Sequence, residues 1–158
     1  MERNPIDTIE DLFNVQEWPT QRPSDGEVIA DVVGKWGVYS VHFLWDSEVA
    51  ILQFIITSDD LLVEKDFLSP AYELCGRVNE KIQVGHFEVI SEASVIGFRH
   101  GLILPGTRTI SEFLLEELIN TGIEMCEKFY PAFQFVLSGG RTPSEAASMA
   151  MINTIGEA

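Results

Sequence analysis

Histidine is the residue type in this chain that most plainly offers chemistry. His42, His86 and His100 are the three copies. Three neutral imidazoles can hold a catalytic zinc ion with a fourth position open, but zinc ligands are normally closely spaced. The sequence has no HxH or HExxH pair, and the three histidines fall on separate strands or at strand ends. We therefore predict no metal site and no cofactor, and we interpret the histidines as structural or surface residues.

Arg99 is one of only ten Lys and Arg residues. Its planar guanidinium could hold a carboxylate or a phosphate through two hydrogen bonds. It could equally pair with Glu88 or Glu92 across two neighbouring strands, because cross-strand ion pairs are common. We favour the structural interpretation. His86, Arg99 and His100 are the candidates for a binding site, with the ligand undefined.

Nucleophilic catalysis finds little support. Cys75 and Cys126 lie among apolar residues of expected helices, which predicts buried free thiols rather than exposed reactive ones. No GxSxG is present, and residues 97–101 lack the lysine of a phosphate loop. Residues 139–143 could hold an anion at a helix start, but helix capping explains them more simply. We predict no catalytic residues and no enzyme.

The strands that would position these side chains follow from alternating apolar residues. The organising feature is a hairpin over Gly85–Leu104 that turns at Ser91–Ser94. Three antiparallel strands precede it, and the third lies in the middle of the sheet. They are Glu27–Val33, Val38–Trp45 and Val49–Ile56, with Pro19–Gly26 as a loop and Thr57–Asp60 as a turn.

The helices follow from capping residues and from the 3.6-residue period. We expect a first helix that is capped by Asn4 and ends before Trp18. A second helix is expected over Asp66–Val84. Its regular part begins near Ser69, and Gly85 ends it. A third begins at the capping box Thr109–Glu112 and is kinked or ended by Pro131. Residues 130–137 fit helix or strand, and we favour helix. A last helix begins at the capping box Thr142–Glu145 and ends at Gly156.

This order predicts an α+β fold. An antiparallel five-stranded sheet carries its helices on one face, in the order α-β-β-β-α-β-β-α-α. Residues 1–158 form one domain, and residues 109–158 are its helical C-terminal part.

The charge is strongly acidic, because 10 basic and 25 acidic residues give 10 − 25 = −15. Such a surface repels nucleic acid and anionic lipid, so we expect neither as a partner. The N-terminal sequence lacks the pattern of a signal peptide. No apolar run approaches the ~20 residues of a membrane span. We expect a cytoplasmic protein with reduced cysteines.

Short segments along nearly the whole chain resemble the YbjN-domain family, in its alphaproteobacterial branch, a family named for sensory transduction regulation. The matching segments are Asn4–Asp7, Gly34–Trp36 with Tyr39, Val78–Glu80, Gly85–Phe87, Phe98–His100, Tyr130–Phe135, Gly139–Gly140 and Gly156–Ala158. The resemblance implies a fold similar to type III secretion chaperones, which are acidic, cytoplasmic, usually dimeric and bind extended segments of partner proteins.

The function predicted from this resemblance is a non-enzymatic, protein-binding or chaperone-like regulator that binds a protein segment on the sheet face or at an edge strand. Two alternatives stay open, an enzyme with a cryptic acid/base or metal site and a structural subunit of a larger assembly. We also expect a homodimer. The segment Phe129–Leu137 is apolar on more than one side, so it needs either the last helix or a second subunit to cover it.

Overall fold

The computed structural model describes residues 4–104, 106 and 109–156, with side chains up to residue 151. Over these residues the chain forms four α-helices and six β-strands. In chain order they are α1 (Pro5–Val15), β1 (Thr20–Ser24), β2 (Glu27–Val33), β3 (Val38–Asp46), β4 (Ile51–Leu62), α2 (Leu68–Asn79), β5 (His86–Ile90), β6 (Val95–Ile103), α3 (Glu112–Leu137) and α4 (Pro143–Gly156).

All neighbouring strands are antiparallel, in the spatial order β1-β2-β3-β4-β6-β5. The helices pack on one face of this sheet, where alternate strand residues such as Val41, Phe54 and Phe98 are fully buried with them in one core. The opposite face carries no helix of the described chain, and we call it the open face. The α+β class and the antiparallel sheet are therefore confirmed.

The predicted strand count of five is wrong, because residues 20–24 form the edge strand β1 and not a loop. Pro23 lies where the register shifts between Gln21 and Ser24, and an edge strand with a bulge tolerates proline. Arg22 ties the strand to α1 through Asp7, at 2.7 Å, and Glu10, at 3.1 Å. The segment is a strand because it pairs with β2 around a tight turn at Asp25 and Gly26, although its prolines favour a loop.

The predicted turn over Thr57–Asp60 is also wrong, because β4 runs on to Leu62. The polar residues sit at an irregularity where the pairing with β6 shifts between Thr57 and Leu62. Ser58 is buried there, and Leu61 and Val63 beyond it still belong to the core.

The second helix ends earlier than predicted, at Asn79 rather than at Gly85. The Asn79 carboxamide accepts a hydrogen bond from the Phe87 N–H at 2.7 Å and donates one to the Phe87 carbonyl at 3.0 Å. These two hydrogen bonds fix the end of α2 to β5, and the residues after Asn79 leave the helix. Gly85 instead has a positive φ of 69°, and a side chain there would overlap the Phe98 ring.

The third helix begins later than predicted and continues further. Ser111, not Thr109, is its N-cap, and the Ser111 side chain accepts a hydrogen bond from the Leu114 N–H at 3.1 Å. Pro131 lies inside the helix, which runs on to Leu137. Residues 130–137 are thus helical, as favoured, but proline does not end the helix.

The other helix boundaries are confirmed. Asn4 caps α1, with its side-chain oxygen accepting a hydrogen bond from the Ile6 N–H at 2.9 Å. Thr142 caps α4 through the Glu145 N–H at 3.2 Å, and its hydroxyl donates to the Glu145 carboxylate, which lowers the pKa of Glu145. α4 ends at Gly156.

Candidate functional site

A chain of polar contacts crosses the open face at its β4, β6 and β5 strands. The Arg99 guanidinium donates from Nε to Glu88 Oε1 at 2.7 Å and from Nη1 to Gln53 Oε1 at 2.7 Å. The second Glu88 oxygen lies 3.3 Å from His86 Nε2. Arg99 and His86 are direct cross-strand partners, which is why their side chains share this face. The predicted pairing of Arg99 with Glu88 is present, and Gln53 is a partner that sequence reasoning missed.

A second polar pair lies further along the open face. His42 Nε2 is 2.5 Å from Glu27 Oε1, and both side chains are about three-quarters buried. His42 sits opposite Ile55, which in turn sits opposite Arg99. The cross-strand row therefore reads Ile29, His42, Ile55, Arg99, His86.

Apolar side chains fill the spaces between these polar groups, and we call them the apolar stripe. Ile55 is almost fully covered by its neighbours, whereas Ile103 is 73% exposed. The members of the stripe are Ile29, Leu44, Ile51, Ile55 and Ile103. The other three members are half-buried. An apolar patch with polar groups around it is typical of a protein-binding site.

Both edges of the sheet are protected against pairing with another strand. At β5 the Asn79 carboxamide occupies the outward N–H and carbonyl of Phe87. At β1 the strand is short, it is bulged, and Pro23 has no N–H to offer. A strand that paired with either edge would have to displace or bypass these features.

His100 does not belong with the other two candidates. It is the cross-strand partner of Phe54, and Phe54 points into the core, so His100 faces the helix side of the sheet. Burial, followed by the nearby charge of His86, lowers the pKa of His100. The structure brings His86 and Arg99 together on the open face and places His100 on the opposite side.

The cysteines are free and buried, as predicted. Burial raises the pKa of Cys75 to about 12, and burial likewise raises the pKa of Cys126. Neither thiol is therefore ionised near neutral pH. Within the described part of the chain, no group of three His, Cys, Asp or Glu side chains comes together in a way that could hold a metal ion.

A separate cluster joins the β2–β3 turn to α3, and we call it the Glu127 clamp. Glu127 Oε1 accepts from the Lys35 N–H at 2.6 Å, and Glu127 Oε2 accepts from the Tyr39 hydroxyl at 3.2 Å. The Glu127 carbonyl accepts from the Trp36 indole N–H at 3.0 Å. That carbonyl lies four residues before Pro131, which has no N–H to give it, so Trp36 takes the place of the missing helical donor.

The Glu127 clamp explains several residues that the sequence left without a role. A side chain at Gly34 would overlap the Tyr39 ring. The Trp36 ring stacks on Tyr130 with centroids 6.0 Å apart. Burial, with the charge of Glu127 next, raises the pKa of Tyr39, so the tyrosine stays a donor. The proline within a helix was the signal that could have pointed to this clamp.

None of the helices in the described residues is long and apolar enough to cross a membrane. Comparison with known proteins gives one family, whose model bears the description "YbjN: Putative bacterial sensory transduction regulator" and matches residues 5–135. No curated protein and no solved structure matches the chain. The matched range contains the whole sheet and almost all of α3, and it stops before α4.

Proposed function

Because this chain belongs to the YbjN family, we propose that it is a non-enzymatic regulator that binds a segment of a partner protein on the open face of its sheet. The observation that carries the proposal is the apolar stripe, which no helix of the described chain covers. A face that served only as a solvated surface would carry polar residues at these positions.

Two further observations support the open face over an edge strand. The Asn79 carboxamide and Pro23 block the two sheet edges. The Arg99, Glu88 and Gln53 side chains are held by mutual hydrogen bonds, so they offer a fixed pattern of polar groups to a partner. A fixed pattern loses less conformational entropy on binding than free side chains do.

The proposal extends to the finer features of the resemblance. If β1 is an added edge strand, the remaining elements have the order α-β-β-β-α-β-β-α-α, which supports a fold similar to type III secretion chaperones and a chaperone-like mode of binding. Membership of the alphaproteobacterial branch belongs to the same proposal. Two free cysteines support a reducing compartment such as the cytoplasm.

The homodimer stays a prediction. Phe129, Tyr130, Phe133 and Val136 are buried within the protomer, and α4 packs against α3, so most of the surface from which the dimer was predicted is covered. Phe135 is still 42% exposed. The family resemblance is the remaining support for it.

Site-specific photo-crosslinking in the native host tests the proposed function. A photo-reactive amino acid in place of Gln53 lies on the open face, and one in place of Gln134 lies exposed on α3 as the matched control. We expect a discrete protein adduct from position 53 and none from position 134. Adducts from position 134 alone, or from neither, would refute docking on the open face.

The same experiment separates the alternatives. A regulator should give an adduct whose yield changes with growth condition, whereas a structural subunit should give a constant, stoichiometric adduct. An enzyme should give no discrete protein adduct at all.

A further inference from the structure

Gly101 occupies a position on the open face where nothing in the protein requires glycine. It lies in β6 between Arg99 and Ile103 and pairs with Gln53 in an unbroken register, so no bulge is present. Its φ is not positive, unlike that of Gly85 or Gly106. A side chain at this position would meet no atom within 4 Å.

Glycine within a strand lowers stability, since it has no side chain to pack and loses more backbone freedom on folding. With no bulge, turn or crowded neighbour to explain it, the remaining physical reason for a strand glycine is close approach by another molecule. Gly101 is flanked by the polar network on one side and by Ile51 and Ile103 on the other. It thus marks the point where a bound segment comes nearest to the sheet.

The charge of the open face identifies the kind of segment. Among the described strand residues that are paired in the sheet and face away from the helices, four carry carboxylates and one carries a guanidinium. The carboxylates are Glu27, Asp31, Asp46 and Glu88, and the guanidinium is that of Arg99. A second copy of this chain would bring the same excess of negative charge, whereas a cationic segment is attracted.

From the proposed function, on which this step rests, we infer that the partner segment is amphipathic and basic. Its apolar side chains cover the apolar stripe, its backbone passes over Gly101, and its Lys or Arg side chains reach the four carboxylates. It binds through side chains rather than by strand pairing, because Asn79 occupies Phe87 at one sheet edge and a bulge with Pro23 interrupts the other. The stripe crosses β2, β3, β4 and β6, so it extends roughly 14 Å across the strands.

Peptides of defined chemistry test this inference on the full-length protein. The probe is a fluorescent Leu/Lys amphipathic peptide of roughly 14 residues, about 21 Å long as a helix. A Leu/Glu peptide of the same pattern and a Ser/Lys peptide of the same charge are the controls. We expect binding of the Leu/Lys peptide by fluorescence anisotropy, and binding of the other two at least about tenfold weaker.

Two glycine variants separate docking at the open face from general attraction to an acidic protein. Gly101→Val leaves the charge unchanged, should keep or raise the melting temperature because valine favours strands, and should weaken Leu/Lys binding by about tenfold or more. Gly101→Ala should give an intermediate loss. Gly76→Ala is the matched control, since Gly76 lies exposed in α2 with nothing within 4 Å, and it should leave binding unchanged.

Equal binding of the Leu/Lys peptide to wild type and Gly101→Val would overturn the inference, as would equal binding of the Leu/Glu peptide or no binding of any peptide. Sedimentation velocity without peptide tests the remaining possible occupant, a second copy of this chain. A dimer that Gly101→Val abolishes would mean that a second copy takes the face. If crosslinking at position 53 succeeds while the Leu/Lys peptide fails, only the partner chemistry is wrong. If position 53 gives no adduct, the proposed function itself fails.

Discussion

At the scale of single residues, Glu127 joins parts of the chain that are distant in sequence. Its carboxylate and its carbonyl together accept three hydrogen bonds from the β2–β3 turn region, about ninety residues earlier in the sequence. Hydrogen bonds to a charged acceptor are stronger than neutral ones. The carboxylate is only partly buried, however, so solvent weakens its contribution.

Replacing Glu127 should therefore destabilise the protein measurably. We expect Glu127→Ala to lower the free energy of unfolding by about 2 kcal/mol, since two side-chain hydrogen bonds are lost. Glu127→Gln keeps an acceptor for the Lys35 N–H and should cost about half as much or less. Urea denaturation measures both. Glu124→Ala, exposed on the same helix, is the control and should lie within about 0.5 kcal/mol of wild type. Equal losses for Glu127→Ala and Glu124→Ala would contradict the role of the clamp.

His100 gives the fold a dependence on pH whose sign follows from its location. Burial lowers the pKa of His100 below the ordinary 6.5. The unfolded chain then binds a proton more readily than the folded chain, so this residue makes stability fall as pH falls from neutral through 6.5 towards the lowered value. We expect His100→Gln to flatten this decline in urea denaturation at neutral and mildly acidic pH. His42 and His86 are present in both proteins, so the difference isolates His100. Parallel pH profiles would show that His100 is equally protonated in both states.

At the scale of elements, α3 stays continuous through a proline because another element supplies what the proline lacks. The Trp36 indole N–H donates to the Glu127 carbonyl, because the Pro131 nitrogen carries no hydrogen to donate. The Trp36 ring also stacks on Tyr130. One side chain therefore both covers part of α3 and supplies the hydrogen bond that its carbonyl lacks. The turn between β2 and β3 is thereby part of the reason that α3 is helical here.

A double-mutant cycle tests this dependence. Trp36→Phe keeps an aromatic ring but removes the donor, and it should cost about 1 kcal/mol. In the Pro131→Ala background the restored amide at position 131 can donate to the Glu127 carbonyl, so the same Trp36→Phe change should cost less. We expect a coupling free energy of about 0.5–1 kcal/mol from urea denaturation of the four proteins. A coupling of zero would mean that the indole donor does not replace the missing helical bond.

The elements that sequence reasoning found are those defined by local pattern. Val38–Trp45 has the alternating pattern of a half-buried strand, Asn4 and Thr142 cap with their own side chains, and the hairpin turn carries four polar or small residues. β1 was missed because its prolines and turn residues indicated a loop, although Ser24 pairs with Glu27 around a two-residue hairpin turn at Asp25 and Gly26. The early end of α2 was missed because Asn79 bonds Phe87, which no local signal announces.

The candidate site was only partly accessible from the sequence for the same reason. The pairing of Arg99 with Glu88 could be predicted, because the turn of a hairpin fixes which residues of its two strands lie opposite each other. Gln53 and the apolar stripe need the sheet order, because they join strands that are distant in sequence. The Glu27–His42 pair joins two neighbouring strands and was overlooked. Adjacent residues of a strand point to opposite faces, which is why His100 separates from Arg99.

At the scale of the whole molecule, the helical layer extends further along the chain than the family match does. The match ends at residue 135, whereas α4 lies over α2 and α3 beyond that point. Ala146 is fully buried in this contact, and Val78 and Phe129 line the cleft beneath α4. An addition outside the family range therefore covers apolar surface that the matched part of the chain would otherwise expose.

Unseating α4 should make the protein self-associate. Ala146→Asp puts an unpaired carboxylate into a buried contact, at a cost of several kcal/mol, which is best avoided by release of the helix. Ser148→Asp adds the same charge at an exposed position of the same helix, so it controls for the change in net charge. We expect sedimentation velocity to show dimers or larger species for Ala146→Asp, and more of them at moderate than at low salt, because screening weakens the repulsion between chains of charge near −15. Ser148→Asp should sediment like wild type. A far-UV spectrum and a cooperative melt for Ala146→Asp would establish that the sheet and α3 remain folded. If Ala146→Asp, folded by these criteria, sediments like wild type at both salt concentrations, then covering this surface is not what controls assembly.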